Sequence, residues 1–160
     1  MAARRLLMLV LVLSAAAAGA APAPLTRVPA PPGVVAEART LLETQAAAWN
    51  RGDLEAFCAV YAEDALFATA FGLTKGRAEV LARYRTRYPD AAARGTLSFE
   101  VLSVDVLAPA EPRRVDAIAV VARWKIELKD KPPAQGLTVL NLVRGGAGPQ
   151  RRVHSVEAGR

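Results

Sequence analysis

An α+β fold, with three N-terminal helices ahead of a mainly antiparallel sheet, is predicted by three observations. Val35, Ala38, Leu42, Gln45 and Trp49 recur at helical spacing. The run Trp49-Asn50-Arg51-Gly52-Asp53-Leu54 stops that helix and starts another, and Gly72 to Gly76 separates a third. From Leu97 onward the apolar period changes from 3.6 to 2.

Helix one runs from about Val34 to Asn50, with Leu41 and Ala46 flanking its apolar stripe and Gln45 as a polar intruder on it. Gly52 ends it, and Asp53 is a natural N-cap for helix two. Helix two carries Leu54, Phe57, Cys58 and Tyr61 and stops at Glu63-Asp64. Ala65 to Thr69 reads as a short strand and Gly72 to Gly76 as a turn. Helix three spans about Arg77 to Tyr88, buries Val80, Leu81 and Tyr84, and ends before Pro89.

Leu97, Phe99 and Val101 alternate, and then Leu102, Val104 and Val106 alternate on the opposite parity. A phase switch inside one run predicts a β-bulge and a bent strand. The stretch Arg114 to Leu128 places Ile118, Val120, Ala122, Trp124, Ile126 and Leu128 on one face, with Arg123, Lys125 and Glu127 on the other. A turn with Pro132 and Pro133 leads to a strand from Gly136 to Arg144, and Gly145 to Pro149 leads to a last strand from Arg151 to Ala158.

The N-terminus reads as a cleaved signal peptide over residues 1–20. Arg4 and Arg5 precede the apolar run Leu6 to Leu13, and Ala18-Gly19-Ala20 is an A-x-A cleavage site. The run is too short for a stable span, so no membrane anchor remains after cleavage. Export to a periplasmic or extracellular space is expected. Residues 21–33 carry Pro22, Pro24, Pro29, Pro31 and Pro32 and read as a Pro/Ala-rich linker. Residues 34–158 then form one domain.

Removal of Arg4 and Arg5 leaves 19 basic against 15 acidic side chains, a net charge of +4. The arginines of Arg83-Tyr84-Arg85-Thr86-Arg87-Tyr88 are the densest basic group and read as a solvated helix face, not as a nucleic-acid footprint. Cys58 has no partner for an internal disulfide and sits mid-helix, the place of a buried core thiol and not of an activated thiolate.

The order Trp49…Gly52-Asp53, Tyr61-Ala62-Glu63-Asp64-Ala65, Gly72…Gly76-Arg77 and Arg152-Val153-His154 resembles the nuclear transport factor 2-like superfamily, in particular its SnoaL-like and ketosteroid-isomerase-like members of unknown function. The resemblance covers about Val34 to Glu157. It implies a cone: a strongly curved, cystatin-like sheet wrapped around three helices, with an apolar pocket and dimerisation through the sheet. Ketosteroid isomerases keep a tyrosine on helix one and a general-base aspartate after the first short strand. Those positions fall on Gln45 and Thr69, and neither residue does the same work. Thr69 is no base near neutral pH, and the Gln45 amide is a weaker donor than a phenol.

Several side chains are candidates for the site. Gln45, Thr69 and Tyr61 are the polar handles of an otherwise apolar pocket, with Trp49, Phe67, Tyr84 and Trp124 either lining it or filling the core. Asn141 shares parity with Leu137, Val139 and Val143, and reads as a pocket contact, a dimer hydrogen bond or an edge position. His154, at the parity of Arg152 and Val156, is the only histidine, and with Asp64 it forms the one acid-base candidate. A lone strand histidine is more often structural, and one histidine does not build a metal site. The leading expectation is an exported, non-catalytic or weakly catalytic domain that binds a small apolar or amphipathic molecule as a homodimer without a cofactor. The alternatives are an isomerase, dehydratase or hydrolase using His154 with Asp64, and an association module.

Overall fold

The computed structural model describes residues 25–109, 117–144 and 151–159. Helix α1, Pro32–Asn50, has proline at its start, where a missing N–H breaks no helical hydrogen bond. Ala38, Leu42, Gln45, Ala48 and Trp49 form its buried side. The chain reverses at Gly52, whose φ of 84° suits glycine. A Cβ there would also meet the Arg94 guanidinium at 2.7 Å. The Asp53 carboxylate accepts from Ala56 N at 2.8 Å and caps helix α2, Leu54–Cys58.

Helix α2 ends earlier than the apolar spacing suggests. Tyr61 belongs instead to strand β2, Tyr61–Thr69, because the sheet claims this backbone: Val153 N donates to Val60 O at 2.9 Å. The expected turn after it is strand β3, Gly72–Lys75, which pairs antiparallel with β2 from Thr69↔Gly72 to Leu66↔Lys75. Helix α3, Arg77–Arg87, and the single turn α4, Ala91–Arg94, follow. A four-residue helix carries no periodic signature, so α4 was invisible to spacing.

Strands β4 (Thr96–Pro109), β5 (Ala117–Leu128), β6 (Lys131–Arg144) and β7 (Arg151–Gly159) complete the fold. Residues Leu25–Pro29, read with the surrounding prolines as part of a linker, form strand β1 against β4. An edge strand tolerates proline because one side of its ladder is unpaired. Similarly, β6 begins at Lys131, and Pro132 and Pro133 sit where the register slips between Ile126 and Leu128 of β5. The signal-peptide and Gly145–Pro149 segments lie outside the described residues.

The described strands form one seven-stranded sheet in the order β1-β4-β5-β6-β7-β2-β3, antiparallel except for β2 beside β7. The phase switch in β4 is a register shift between Val101 and Ser103, with Leu102 as the extra residue. Such bulges increase local twist, and the sheet curls around the helices. Ile118, Val120, Ala122, Leu140, Leu142, Val153 and Val156 are buried on its inner face. Asn50 ties α1 to that sheet, donating to Leu97 O at 3.1 Å and accepting from Leu97 N at 2.7 Å.

Candidate functional site

The curled sheet and the helices do not fill the space between them. They leave a cavity of about 250 Å³ that opens beside the β2–β3 hairpin and α3. Trp49, Phe57, Phe67, Tyr84, Phe99, Trp124, Ile126 and Leu140 are among its walls. Six of its aromatic rings, those of Trp49, Phe57, Tyr61, Phe67, Tyr84 and Tyr88, form one connected group. Trp49 meets Phe57 at 5.1 Å and Tyr88 at 4.8 Å between ring centroids, and Tyr84 meets Phe57 at 5.1 Å and Phe67 at 5.9 Å. Most of these contacts are tilted or edge-on, which suits the ring quadrupoles.

Gln45 and Trp49, one turn apart on α1, stand at the buried end, 1% and 2% exposed. The Gln45 amide nitrogen donates to Phe57 O and to the Tyr61 hydroxyl, both at 3.3 Å. A backbone carbonyl only accepts, so this pairing fixes the amide's orientation. Among the described residues the Gln45 carbonyl oxygen and the Trp49 indole N–H then have no partner. Leaving one such group buried and unpaired costs about 1–3 kcal/mol. Tyr61 and Tyr84 both line the cavity. Burial pushes both phenols above their ordinary value of 10.0, well away from neutrality.

At the open end Phe71 is 81% exposed and still lines the cavity. The Thr69 hydroxyl accepts from Phe71 N at 3.2 Å, donates to Gly72 O at 3.3 Å and accepts from Arg83 at 3.5 Å. It stabilises the hairpin and reaches the cavity wall. Arg83 lies over the Phe67 ring at 5.9 Å, and Arg87 over the Tyr88 ring at 5.7 Å. Both arginines line the cavity.

Of the candidates drawn from the sequence, Gln45, Trp49, Tyr61, Phe67, Thr69, Tyr84 and Trp124 converge on this cavity. Asn141 does not. Thr138 and Leu140 take the inner face of β6, so Asn141, at odd parity with the half-exposed Leu137, belongs to the outer face. Asp64 is exposed and outside the cavity lining, within the stretch of β2 where the register against β7 shifts between Tyr61 and Leu66. His154 does not keep a simple alternation with Arg152 and Val156. Val153 pairs with Leu142 and Ser155 with Asn141, so His154 is the extra residue of a bulge. Val153 and Val156 are both buried across it, while Arg152 is exposed. The His154 side chain lies outside the described residues. Cys58 is fully buried, and burial pushes its thiol up to about 12.

Arg83, Arg87, Phe71, Tyr88 and Thr138 line the cavity without having been singled out by sequence. A signal existed for the first pair. Arg83 and Arg87, like Tyr84 and Tyr88, are four residues apart, so an arginine ridge runs beside a tyrosine ridge on one helix.

A curved sheet closing on helices around a mostly apolar cavity defines the cystatin-like, NTF2-like class of fold. A SnoaL-like domain family model matches residues 42–156, and the chain belongs to that family. Among solved structures, an NTF-2-like protein of unknown function from Shewanella oneidensis MR-1 is 24% identical, with a TM-score of 0.67 over 79% of this chain and 99% of that one. A domain of unknown function with a cystatin-like fold from Nostoc punctiforme PCC 73102 is 20% identical, with a TM-score of 0.65 over 82% and 79% of the two chains. A ketosteroid isomerase-like protein from Erwinia carotovora atroseptica SCRI1043 is 18% identical, with a TM-score of 0.56 over 76% and 94%. These likenesses concern fold. No curated protein matches the chain.

Proposed function

We propose that this domain binds a small apolar or amphipathic molecule in the cavity and transforms it weakly or not at all. One observation carries the reading. The cavity is preformed, about 250 Å³, and among the described residues its lining is mostly apolar and contains no carboxylate or thiol. Proton-transfer catalysis needs a group whose pKa lies near the working pH. Among the described residues the titratable groups lining this cavity are phenols and guanidiniums, and burial moves Tyr61 and Tyr84 further from neutrality. Gln45 and Thr69, where ketosteroid isomerases keep their catalytic pair, act as hydrogen-bonding handles. The unpartnered Gln45 carbonyl oxygen and Trp49 N–H suit a hydroxyl on the ligand or a bound water, which satisfies either role. The alternative that joins His154 to Asp64 is weakened by the position of Asp64 outside the cavity lining.

Titration with N-phenyl-1-naphthylamine, a neutral probe that brightens in apolar surroundings, tests the reading. Saturable binding of one probe per chain, with quenching of tryptophan emission, is expected. Absence of saturable binding would remove the proposal.

Two further features belong to the same reading. The outer sheet face exposes Leu102 at 44% and Leu137 at 50%, which supports a homodimer through that face. A monomer by light scattering at high concentration would contradict it. Arg4, Arg5, the Leu6 to Leu13 run and Ala18-Gly19-Ala20 support export with cleavage. A mature N-terminus at Ala21 by mass spectrometry is the matching result.

A further inference from the structure

We propose that the ligand is an oxyanion-headed ring compound, an aromatic or alicyclic carboxylate in the first instance, with its anion seated on Arg83 and Arg87 at the cavity mouth. The inference rests on the binding reading above and names the chemical class for the same site.

The arginines of α3 have two different fates. Arg77 pairs with Glu63 at 2.9 Å and donates to Tyr61 O at 2.9 Å. Arg85 pairs with Glu55. Arg83 and Arg87 form no ion pair among the described residues. Arg83 reaches only the hydroxyls of Thr69 and Thr74, each at 3.5 Å. Arg87 reaches the Tyr88 hydroxyl at 3.2 Å. A guanidinium has five donors in a planar fork that matches an oxyanion, and its charge-assisted bonds are about twice as strong as neutral ones. Hydroxyls at 3.5 Å lie beyond the usual hydrogen-bond range of about 2.7–3.2 Å and leave most of that capacity unused.

The two side chains stand one helical turn apart on α3, close enough to share one small anion. Their stems and planes rest on Phe67 and Tyr88, which orders them before any ligand arrives. Among the described residues the cavity lining carries positive charge and no negative charge. Such a mouth raises the local concentration of anions and speeds their entry.

Volume sets the body of the ligand. An apolar cavity of about 150 Å³ takes a benzene ring, and pockets for drug-sized molecules span about 300–1,000 Å³. A space of about 250 Å³ therefore suits one substituted ring or a fused pair. The edge-on walls of Trp49, Phe57 and Tyr84 provide faces and edges for it.

The test compares three matched probes on the full mature chain by calorimetry and by displacement of N-phenyl-1-naphthylamine: 2-naphthylacetate, 2-naphthylacetamide and 2-naphthyl phosphate. Either anion binding at least tenfold tighter than the amide is expected, and the tighter of the two identifies the head group. The preference should weaken as salt rises, because the mouth is exposed. In Arg83→Gln and Arg87→Gln proteins with unchanged circular dichroism, the ratio of anion to amide affinity should collapse towards one. Arg83→Lys and Arg87→Lys should keep part of it. If the neutral probe and the amide bind but neither anion is preferred, the oxyanion inference is overturned and the binding reading stands. If no probe binds, both fall. A preference that survives both glutamine variants would place the anion elsewhere and overturn the assignment to these arginines.

Discussion

The two ends of the cavity are built from the same helices and do opposite work. At the buried end, Gln45, Trp49, Tyr61 and Tyr84 are held by packing and by hydrogen bonds that are nearly, but not fully, satisfied. At the mouth, Phe71, Arg83, Arg87 and Tyr88 border solvent and have weak or long polar contacts. The floor belongs to the core, so changes there act on folding. The mouth is outside it, so changes there act on ligand selection. A fold that merges core and site at one end can vary its ligand at the other without losing stability.

The largest effect should come from the floor. Trp49→Ala removes a ring that packs on Phe57, Tyr84 and Tyr88, and should cost about 3–5 kcal/mol in urea denaturation. A loss below about 1 kcal/mol would mean that the floor is not core. Next comes alkaline sensitivity. The fold holds the Cys58 proton more tightly than the unfolded chain does, because burial pushes the thiol from 9.0 to about 12. The resulting stabilisation is complete below 9.0 and is lost as pH rises through about 12. Tyr61 and Tyr84 act in the same direction from their ordinary value of 10.0 upward. The urea midpoint should therefore fall across this window, and less steeply from its lower end in Cys58→Ala. A flat profile would contradict the burial assigned to these groups.

Mouth substitutions should barely move stability. Arg87→Gln should change it by no more than about 0.5 kcal/mol, as exposed positions do, while altering anion selection. A large drop in the thermal midpoint would erase the contrast between floor and mouth. Phe71→Ala should have the smallest effect, a few-fold faster release of N-phenyl-1-naphthylamine in stopped flow with equilibrium stability unchanged. Unaltered release would mean that this exposed ring takes no part in the site.

Much of this contrast was legible in the sequence, in an uneven way. The floor was readable because helical spacing places Gln45 and Trp49 on the stripe of Leu42, and a polar residue on such a stripe stands out. The bulge in β4 was readable because parity switches between Val101 and Leu102. The bulge in β7 was not: with one apolar residue on either side of His154, two registers fit equally well, and only pairing with Leu142 and Asn141 distinguishes them. Strand β1 was hidden by Pro29 and the prolines that flank the strand, and an edge accepts such a residue. The mouth was hidden for a different reason. Four arginines on one helix look alike in sequence, and only tertiary placement gives Arg77 and Arg85 their carboxylates and leaves Arg83 and Arg87 at the cavity.

The most direct test of the central claim is a crystal structure of the mature chain grown with 2-naphthylacetate. Ring density is expected between Tyr84 and Trp124, with the carboxylate on Arg83 and Arg87 and the floor unchanged. A cavity closed by inward movement of Trp124, Phe67 and Leu97, with no ligand inside, would contradict it.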